Sequence, residues 1–396
     1  MNVTVYGGAT SGVVDAIPSK SYAHRIAICN YLSGKDPKPN CSGFTSKDIE
    51  VTVECLRALM RGEKVLDCGE SGSTLRFMLP LVASKGGEYT LVGHGRLMDR
   101  PNDELFKVLS SHGVSAVKTD CIKVTGKLTP GRYEIRGDIS SQYVSGLLLA
   151  LPTLKEDSEI VLTTPLVSAP YVDITLEVLS SFGVEIARTH TGFKIKGNSV
   201  YDGDVKPEGD WSNAAFFLAL GAIAGDITVK GLNLNSVQGD KKILEVLKAA
   251  GAKIDVGDGI TVKKSELNAF TLDAEDCPDI VPISAVVAAY AKGVSVIDNV
   301  QRLKIKESDR IESTINTLKA FGIRAESDGK KITVYGGQAT SGKVNSYNDH
   351  RVVMSAAVLA SGAKGSSVIL DAQAVNKSYP TFFEDYKKVK GKIDEC

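Results

Sequence analysis

The sequence lacks an excess of charge of either sign, since its 396 residues carry 47 Lys and Arg against 47 Asp and Glu. Proteins that bind nucleic acids or anionic membranes usually show a basic excess, so this balance argues against both partners. The longest apolar segments, residues 214–224 and 280–291, are too short to span a bilayer. No basic and apolar leader opens the chain, and we therefore expect no signal peptide.

The cysteines do not form a recognisable pattern either. There are seven of them, an odd number, and they are scattered without a CxxC pair. This distribution indicates neither a disulfide framework nor a zinc site. We therefore expect reduced thiols, no metal and a cytoplasmic location. The length predicts two or three domains.

What the sequence does contain is a repeated motif. The stretch Gly69–Leu81 runs from small polar residues into an apolar segment with Arg76 at its head, which predicts a loop leading into a buried helix. The free N–H groups at such a helix start can bind an anion. A single copy is more often a plain capped turn.

Six copies of this polar-headed helix occur along the chain. They are marked by Ser21, Ser73, Ser141, Ser212, Asp279 and His350, which are separated by 52, 68, 71, 67 and 71 residues. Such a nearly constant period indicates an internal repeat.

A second, amphipathic helix recurs between the copies. It ends at Gly113, Gly183, Gly251 and Gly322, with gaps of 70, 68 and 71 residues, and an alternating two-strand segment is predicted after it. Each repeat then contains a strand, a loop, an amphipathic helix, a hairpin, a loop and a buried helix. Six repeats fit, the first one shorter and ending near Gly62. Two domains of three repeats, with about 190 residues each, suit the usual domain size; a single solenoid of six repeats is the alternative.

Cations cluster at the predicted helix starts. Eight of them occupy such positions: Lys20, Arg25, Arg76, Arg100, Lys306, Arg310, Arg351 and Lys377. Together they would form a positive cleft for phosphates and carboxylates. Asp279 and Glu307 lie among them and could move protons. The simpler interpretations are a helix cap for Asp279 and a surface ion pair for Glu307.

These motifs together resemble those of the 3-phosphoshikimate 1-carboxyvinyltransferase family, also called EPSP synthases. The resemblance covers essentially the whole chain, and it rests on Ser19-Lys20-Ser21 with Arg25, Gly69–Arg76, Ser140-Ser141-Gln142, Gly209-Asp210, Pro278-Asp279, Lys306–Arg310, Asp349-His350-Arg351 and Lys377–Pro380.

The resemblance implies an α/β (α+β) fold of two domains, an inside-out α/β barrel. Each domain would contain three βαβαββ repeats with buried helices and outer sheets. Residues 1–18 with 207–396 would form one domain and residues 19–206 the other, with the active site in the cleft between them.

The resemblance also implies the reaction. The enolpyruvyl group of phosphoenolpyruvate would move to the 5-hydroxyl of shikimate 3-phosphate through a tetrahedral adduct, with release of phosphate. No metal or organic cofactor, nucleic acid or membrane partner is expected, and a monomer is predicted.

Site residues are implied position by position. Shikimate 3-phosphate would be bound by Lys20, Ser21, Arg25, Ser140, Ser141, Gln142, Ser168, Asp279 and Lys306. Phosphoenolpyruvate would be bound by Lys20, Gly72, Arg100, Gln142, Arg310, Arg351 and Lys377. Asp279 would take the hydroxyl proton, and Glu307, with Lys20, would protonate the methylene carbon.

Three other functions stay open at this point. The sister enolpyruvyl transferase acting on UDP-N-acetylglucosamine shares the fold, but it carries a cysteine near the position of Arg100, and residues 93–99 contain none. A non-catalytic anion-binding protein would be favoured by loss of Asp279 or Glu307, and both are present. An RNA-end cyclase of the same general fold would need a basic stripe.

Overall fold

The computed structural model describes residues 1–395, so Cys396 lies outside the described residues. The chain divides into two compact units, one made of Met1–Ser19 with the segment from Glu208 onward, the other of Lys20–Pro207. We call them the terminal unit and the central unit. The predicted domain boundaries, 1–18 with 207–396 and 19–206, differ from these by one residue.

The elements follow in chain order. The terminal unit begins with two strands, β1 (Val3–Tyr6) and β2 (Thr10–Asp15). The central unit consists of α1 (Lys20–Leu32), α2 (Lys47–Met60), β3 (Val65–Asp67), α3 (Gly72–Lys85), β4 (Gly87–Val92), α4 (Asp103–Ser110), β5 (Val114–Lys118), β6 (Ile122–Gly126), β7 (Arg132–Ile135), α5 (Ser141–Ala150), β8 (Ser158–Leu162), α6 (Ala169–Ser181), β9 (Ile186–Arg188) and β10 (Gly192–Ile195).

The chain then returns to the terminal unit. This part contains α7 (Trp211–Ala224), β11 (Gly225–Lys230), α8 (Ile243–Ala249), β12 (Lys253–Val256), β13 (Ile260–Lys263), β14 (Leu267–Asn268), β15 (Thr271–Asp273), α9 (Val281–Ala289), β16 (Ala291–Lys292), β17 (Val294–Asp298), α10 (Arg310–Ala320), β18 (Ala325–Ser327), β19 (Ile332–Tyr335), β20 (Lys343–Asn345), α11 (His350–Gly362), β21 (Ser366–Leu370), α12 (Phe382–Lys388) and β22 (Lys392–Glu395). Short 3-10 helices include Pro278–Ile280, Gln301–Ile305 and Ala372–Lys377.

The helices that follow the polar-headed loops are largely buried, and α7 and α9 are apolar on all sides. In α7, every residue from Trp211 to Ala224 except Ser212 is buried. In the terminal unit α7, α9 and α11 pack on one another, and in the central unit α3 and α5 do so. The sheets lie outside these helices. Among residues 1–395, no helix is both long and apolar enough to cross a bilayer.

Five four-stranded sheets share one topology, which is the structural form of the repeat. The first two strands are parallel, and two antiparallel strands follow. In four of the sheets these two strands form a hairpin, whereas in the fifth they are β1 and β22. The central unit has β3-β4-β6-β5 and β7-β8-β10-β9; the terminal unit has β2-β11-β13-β12, β15-β17-β19-β18 and β20-β21-β1-β22.

The two N-terminal strands complete sheets whose other strands come from the segment that begins at Glu208. β2 pairs in parallel with β11, and β1 lies between β21 and β22, with Val3 opposite both Ile369 and Glu395. The last repeat is therefore closed by the first residues of the chain. This explains why residues 1–19 belong to the terminal unit.

The first repeat of the central unit has no sheet. Residues 20–62, all of them described, form only α1 and α2. The segment after α1 contains Pro37 and Pro39, which cannot donate hydrogen bonds to a sheet. After α2, only Glu63 and Lys64 separate Gly62 from β3, which leaves no room for a hairpin. The shortened repeat predicted near Gly62 has thus lost its strands and kept its helices.

Candidate active site

In the terminal unit, one buried arginine holds the two carboxylates predicted to move protons. Arg310 is the first residue of α10 and is 1 % exposed. Its Nη1 donates to Asp279 Oδ1 at 2.7 Å, and its Nη2 donates to Glu307 Oε2 at 2.6 Å. The two carboxylates are thus fixed on neighbouring nitrogens of a single guanidinium.

A third carboxylate fixes this arginine from the other side. Asp349 is fully buried and accepts from Arg310 Nε at 2.8 Å and from Ser308 Oγ at 3.0 Å. Burial alone would lower the pKa of Arg310, but the charges of Asp349, Glu307 and Asp279 outweigh it and raise that pKa well above its usual value. Likewise burial would raise the pKa of Asp349, but Arg310 holds it below the ordinary value.

Asp279 is the meeting point of three cations. Besides Arg310, it accepts from Arg351 Nη2 at 3.0 Å and from Lys306 Nζ at 3.4 Å. It does not cap α9, because it lies in the 3-10 turn Pro278–Ile280 that precedes this helix. Burial is the larger effect on Lys306 and lowers the pKa of its ammonium group, although Asp279 opposes this.

Arg351 and Lys377 are the other two predicted cations of the terminal unit, besides Lys306 and Arg310. Arg351 Nη2 also donates to Ser212 Oγ at 2.9 Å, and the hydroxyl of Ser212 donates to Asp240. Burial and then the charge of Asp279 raise the pKa of Asp240 to about 6. Lys377 Nζ donates to the carbonyl oxygen of Asn348 at 2.7 Å.

In the central unit, a second buried arginine has only neutral partners. Arg25 Nε donates to Thr175 Oγ1 at 2.6 Å, and the carbonyls of Ser21 and Tyr171 accept from its Nη1 and Nη2 at 2.7 and 2.8 Å. Nη2 also donates to Ser145 Oγ at 3.3 Å. No carboxylate among residues 1–395 forms an ion pair with Arg25, and burial lowers its pKa to about 10.

Arg76 organises a second group of central-unit residues. Its Nη1 donates to Gln142 Oε1 at 2.6 Å, and its Nη2 donates to the carbonyl of Pro101 at 2.9 Å. Gln142 Nε2 in turn donates to Ser73 Oγ at 2.9 Å. Arg76 therefore fixes both the amide of Gln142 and the loop that carries Arg100.

Arg100 lies directly over the start of α3. A Cβ added to Gly72 would lie 2.3 Å from Arg100 Nη1 and 2.8 Å from its Cζ, so only glycine leaves the guanidinium in place. Ser71 caps this helix by accepting from Thr74 N at 3.2 Å. The observed α3 begins at Gly72, within the polar-headed stretch from which a buried helix was predicted.

A buried chain of hydroxyls joins the starts of three central-unit helices. His24 Nδ1 lies 2.7 Å from Thr52 Oγ1, which lies 2.6 Å from Thr74 Oγ1. Beside it, Lys20 Nζ donates to Asp48 Oδ2 at 2.9 Å. Burial, then Lys20 and Arg25, lower the pKa of His24 well below its usual value.

The remaining predicted residues also lie at helix starts of the central unit. Ser140 caps α5 by accepting from Gln142 N at 3.3 Å, and Ser141 is the first residue of that helix. Ser168 precedes α6 in a left-handed conformation with φ 53°, and its carbonyl accepts from Tyr171 N at 3.1 Å. The structure thus places nine of the predicted residues in the central unit: Lys20, Ser21, Arg25, Gly72, Arg100, Ser140, Ser141, Gln142 and Ser168. The other six are in the terminal unit: Asp279, Lys306, Glu307, Arg310, Arg351 and Lys377.

Known proteins are similar to this chain in sequence and in fold. A family model described as EPSP synthase (3-phosphoshikimate 1-carboxyvinyltransferase) matches residues 6–386. The 3-phosphoshikimate 1-carboxyvinyltransferase of Clostridium kluyveri is 39% identical, with 97% of this chain and 96% of the relative covered. That of Clostridium novyi is 36% identical, with 100% and 98% covered.

The chain belongs to the EPSP synthase family. Among solved structures, EPSP synthase from Acinetobacter baumannii superposes with a TM-score of 0.79 at 22% identity, over 100% of both chains. The enolpyruvyl transferase NikO from Streptomyces tendae gives 0.78 at 17% identity, over 99% of this chain and 98% of the other. At these identities the structures show a shared two-domain α/β fold.

For this member of the EPSP synthase family, sequence reasoning missed the partners that orient the site. The most prominent are hydrogen-bond acceptors of the site cations. Asp349 accepts from Arg310, Thr175 and Ser145 accept from Arg25, and Asp48 accepts from Lys20. In the sequence, Asp349 stands out only as part of the motif Asp349-His350-Arg351. Among residues 1–395, no three His, Cys, Asp or Glu side chains are grouped so that they could hold a metal ion.

Proposed function

We propose that this protein transfers the enolpyruvyl group of phosphoenolpyruvate to the 5-hydroxyl of shikimate 3-phosphate and releases phosphate. This is the reaction of the aromatic amino acid pathway for which its curated relatives are named. The observation that carries the proposal is the pair Asp279 and Glu307 on neighbouring nitrogens of Arg310, at 2.7 and 2.6 Å. Addition of a hydroxyl to the double bond of an enol phosphate needs one base for the nucleophile and one acid for the carbon, held close together.

The proton steps follow from these positions. Asp279 takes the proton of the 5-hydroxyl as its oxygen attacks C2 of phosphoenolpyruvate. Glu307, with Lys20, delivers a proton to the methylene carbon, which becomes the methyl group of a tetrahedral adduct. Glu307 then takes a proton back from that methyl group as phosphate departs, which restores the double bond. The transferred group ends as an enolpyruvyl ether, so no electrons are gained or lost.

Binding roles are proposed for both units. Arg25 with Ser21, Ser140, Ser141, Ser168 and Lys306 binds shikimate 3-phosphate, and Lys20 and Gln142 serve both substrates. Gly72, Arg100, Arg310, Arg351 and Lys377 bind phosphoenolpyruvate. Arg25 supports this assignment because a buried cation with neutral partners gains most from an anionic ligand. Cations that face the leaving phosphate stabilise the charge it develops.

We further propose that the enzyme works as a cytoplasmic monomer without metal or organic cofactor. Six cysteines between Cys29 and Cys277 are unpaired, which suits a reducing compartment.

A phosphate-release assay with phosphoenolpyruvate tests the function and its acceptor. We expect phosphate to appear with shikimate 3-phosphate and not with UDP-N-acetylglucosamine, and the product to carry the enolpyruvyl group on O5. Release with the UDP-sugar alone would assign the chain to the sister reaction. Binding of both substrates without turnover would make it a non-catalytic anion-binding protein.

A further inference from the structure

Two neighbouring residues other than glycine adopt a left-handed backbone conformation between β20 and α11. Tyr347 has φ 52° and Asn348 has φ 53°. No other two consecutive non-glycine residues in the described chain, residues 1–395, share this conformation. A side chain with a Cβ disfavours it, asparagine less than most. Something must therefore hold the turn Asn345–Asp349 in place.

The turn is held by its own side chains. Asn345 Oδ1 accepts from Tyr347 N at 2.7 Å, and Ser346 Oγ accepts from Asn348 N at 3.2 Å. Ser346 is fully buried, and its carbonyl accepts from Asp349 N at 2.9 Å. The hydroxyl of Tyr347 also accepts from Asn316 Nδ2 of α10 at 3.2 Å. The conformation of the turn is thus fixed by several hydrogen bonds.

The last two residues of this turn, Asn348 and Asp349, reach cations of the site. The carbonyl of Asn348 accepts from Lys377 Nζ at 2.7 Å, and the side chain of Asp349 accepts from Arg310 Nε at 2.8 Å. Asp349 Oδ1 also accepts from the backbone N–H of Arg351 at 2.9 Å, which caps α11. One short segment therefore touches three residues that are far apart in the sequence.

Capping alone does not account for these contacts. Asp210 caps α7 of the same unit by accepting from Asn213 N at 2.8 Å, and that task needs only one carboxylate oxygen. Asp349 is fully buried and accepts hydrogen bonds with both oxygens. Its second oxygen, Oδ2, accepts from Arg310 Nε and Ser308 Oγ. The left-handed pair directs the Asn348 carbonyl to Lys377 in the same turn.

We propose that the turn Asn345–Asp349 positions Lys377, Arg310 and Arg351 as one set for phosphoenolpyruvate, with Asp349 as the central positioning residue. This inference rests on the proposed function, which assigns those three cations to that substrate. The turn itself does not touch the reacting atoms. Its effect is to hold the cations so that they need not reorganise when the substrate binds.

The sharpest test compares two substitutions of Asn348 in the full-length enzyme. Asn348→Gly and Asn348→Ala both remove the amide, and they differ only in their tolerance of positive φ. We expect the KM for phosphoenolpyruvate of the alanine variant to exceed that of the glycine variant by about three- to tenfold. The KM for shikimate 3-phosphate should differ between the two by less than about twofold.

The variant Asp349→Asn provides a second test of the proposal. It keeps an oxygen that can cap α11 but removes the charge next to Arg310. We expect the KM for phosphoenolpyruvate to rise about tenfold or more, and that for shikimate 3-phosphate to rise less than about threefold. The unfolding temperature of each variant is measured in parallel.

Several results would overturn the inference. Equal KM values for phosphoenolpyruvate in the two Asn348 variants, or equal rises for both substrates, would reduce the turn to a structural cap. If Asp349→Asn does not fold, the Asn348 pair still decides the question. Absence of turnover in the unmodified enzyme would instead refute the proposed function, so the two failures are distinguishable.

Discussion

Arg25 of the central unit and Arg310 of the terminal unit are equally buried, at 2 % and 1 % exposed, but their partners differ in charge. Arg310 is bound by the carboxylates of Asp279, Glu307 and Asp349. Within the described part of the chain, residues 1–395, Arg25 donates only to hydroxyls and backbone carbonyls. Burial without a counter-charge lowers the pKa of Arg25, whereas the three carboxylates raise that of Arg310.

The neighbours of the two arginines show the same contrast. Burial and the cations Lys20 and Arg25 lower the pKa of His24 in the central unit. Burial and the carboxylate of Asp279 raise the pKa of Asp240 in the terminal unit. The charge of Arg25 is thus balanced by no carboxylate among residues 1–395, whereas that of Arg310 is balanced by three. We infer that Arg25 is suited to binding the phosphate of shikimate 3-phosphate, and that Arg310 is suited to holding the two carboxylates proposed to move protons.

The largest effect is expected when Asp279, the proposed base, loses its charge. Asp279→Asn keeps the shape of the side chain but cannot take the hydroxyl proton, so kcat should fall by about 10²- to 10⁴-fold. Turnover is measured by phosphate release, with circular dichroism to check the fold. Asp273→Asn, at an exposed position in the same unit, is the matched control. Activity like that of the unmodified enzyme in the Asp279 variant would remove Asp279 from the mechanism.

The next largest effect is on protein stability, which replacement of the two arginines should change to different extents. Arg310→Met leaves three carboxylates facing one another, and we expect it to lower the free energy of unfolding by about 3–5 kcal/mol. Arg25→Met removes a cation that forms no ion pair with residues 1–395, and the free energy of unfolding should change by no more than about 1 kcal/mol. Urea unfolding of both variants without substrate measures this. Equal losses would mean that the partners of the two arginines are equivalent.

A smaller effect is expected where α3 meets Arg100. The Cβ of Gly72→Ala would lie 2.3 Å from Arg100 Nη1, so the guanidinium must move and the KM for phosphoenolpyruvate should rise about tenfold. Gly8→Ala serves as the control, because a Cβ there meets nothing within 4 Å. If the KM of the Gly72 variant does not change, Arg100 has no part in binding this substrate.

The smallest predicted effect is on the pH dependence of stability. The folded-state pKa of His24 lies below its unfolded value, so the unfolded chain binds the proton more readily and stability falls as the pH drops below that unfolded value. Relative to His24→Asn, the unmodified enzyme should lose about 1–2 kcal/mol between about pH 7 and pH 5. Chemical unfolding at several pH values checks this. Parallel curves for the two proteins would show that His24 is not held neutral.

The sequence predicted the repeat because the repeat is local: a polar loop and an all-apolar helix recur at a fixed spacing, as in Gly69–Leu81 and α7. The sequence indicated only that the first repeat, which ends near Gly62, is shorter than the others; it did not indicate that this repeat lacks a sheet. The partners of the site arginines could not be predicted, because Asp349 and Thr175 reach Arg310 and Arg25 across 39 and 150 residues. Such contacts depend on helix packing, and each of these residue types also occurs as an ordinary cap.

The most direct test of the unbalanced charge in the central unit is the stabilisation of the protein by shikimate 3-phosphate. We predict that saturating shikimate 3-phosphate raises the unfolding temperature of the unmodified enzyme by several degrees, and that Arg25→Met abolishes most of this rise while its unfolding temperature without ligand is unchanged. A full ligand-induced rise in the Arg25→Met variant would show that the buried cation does not await this anion, and would contradict the account.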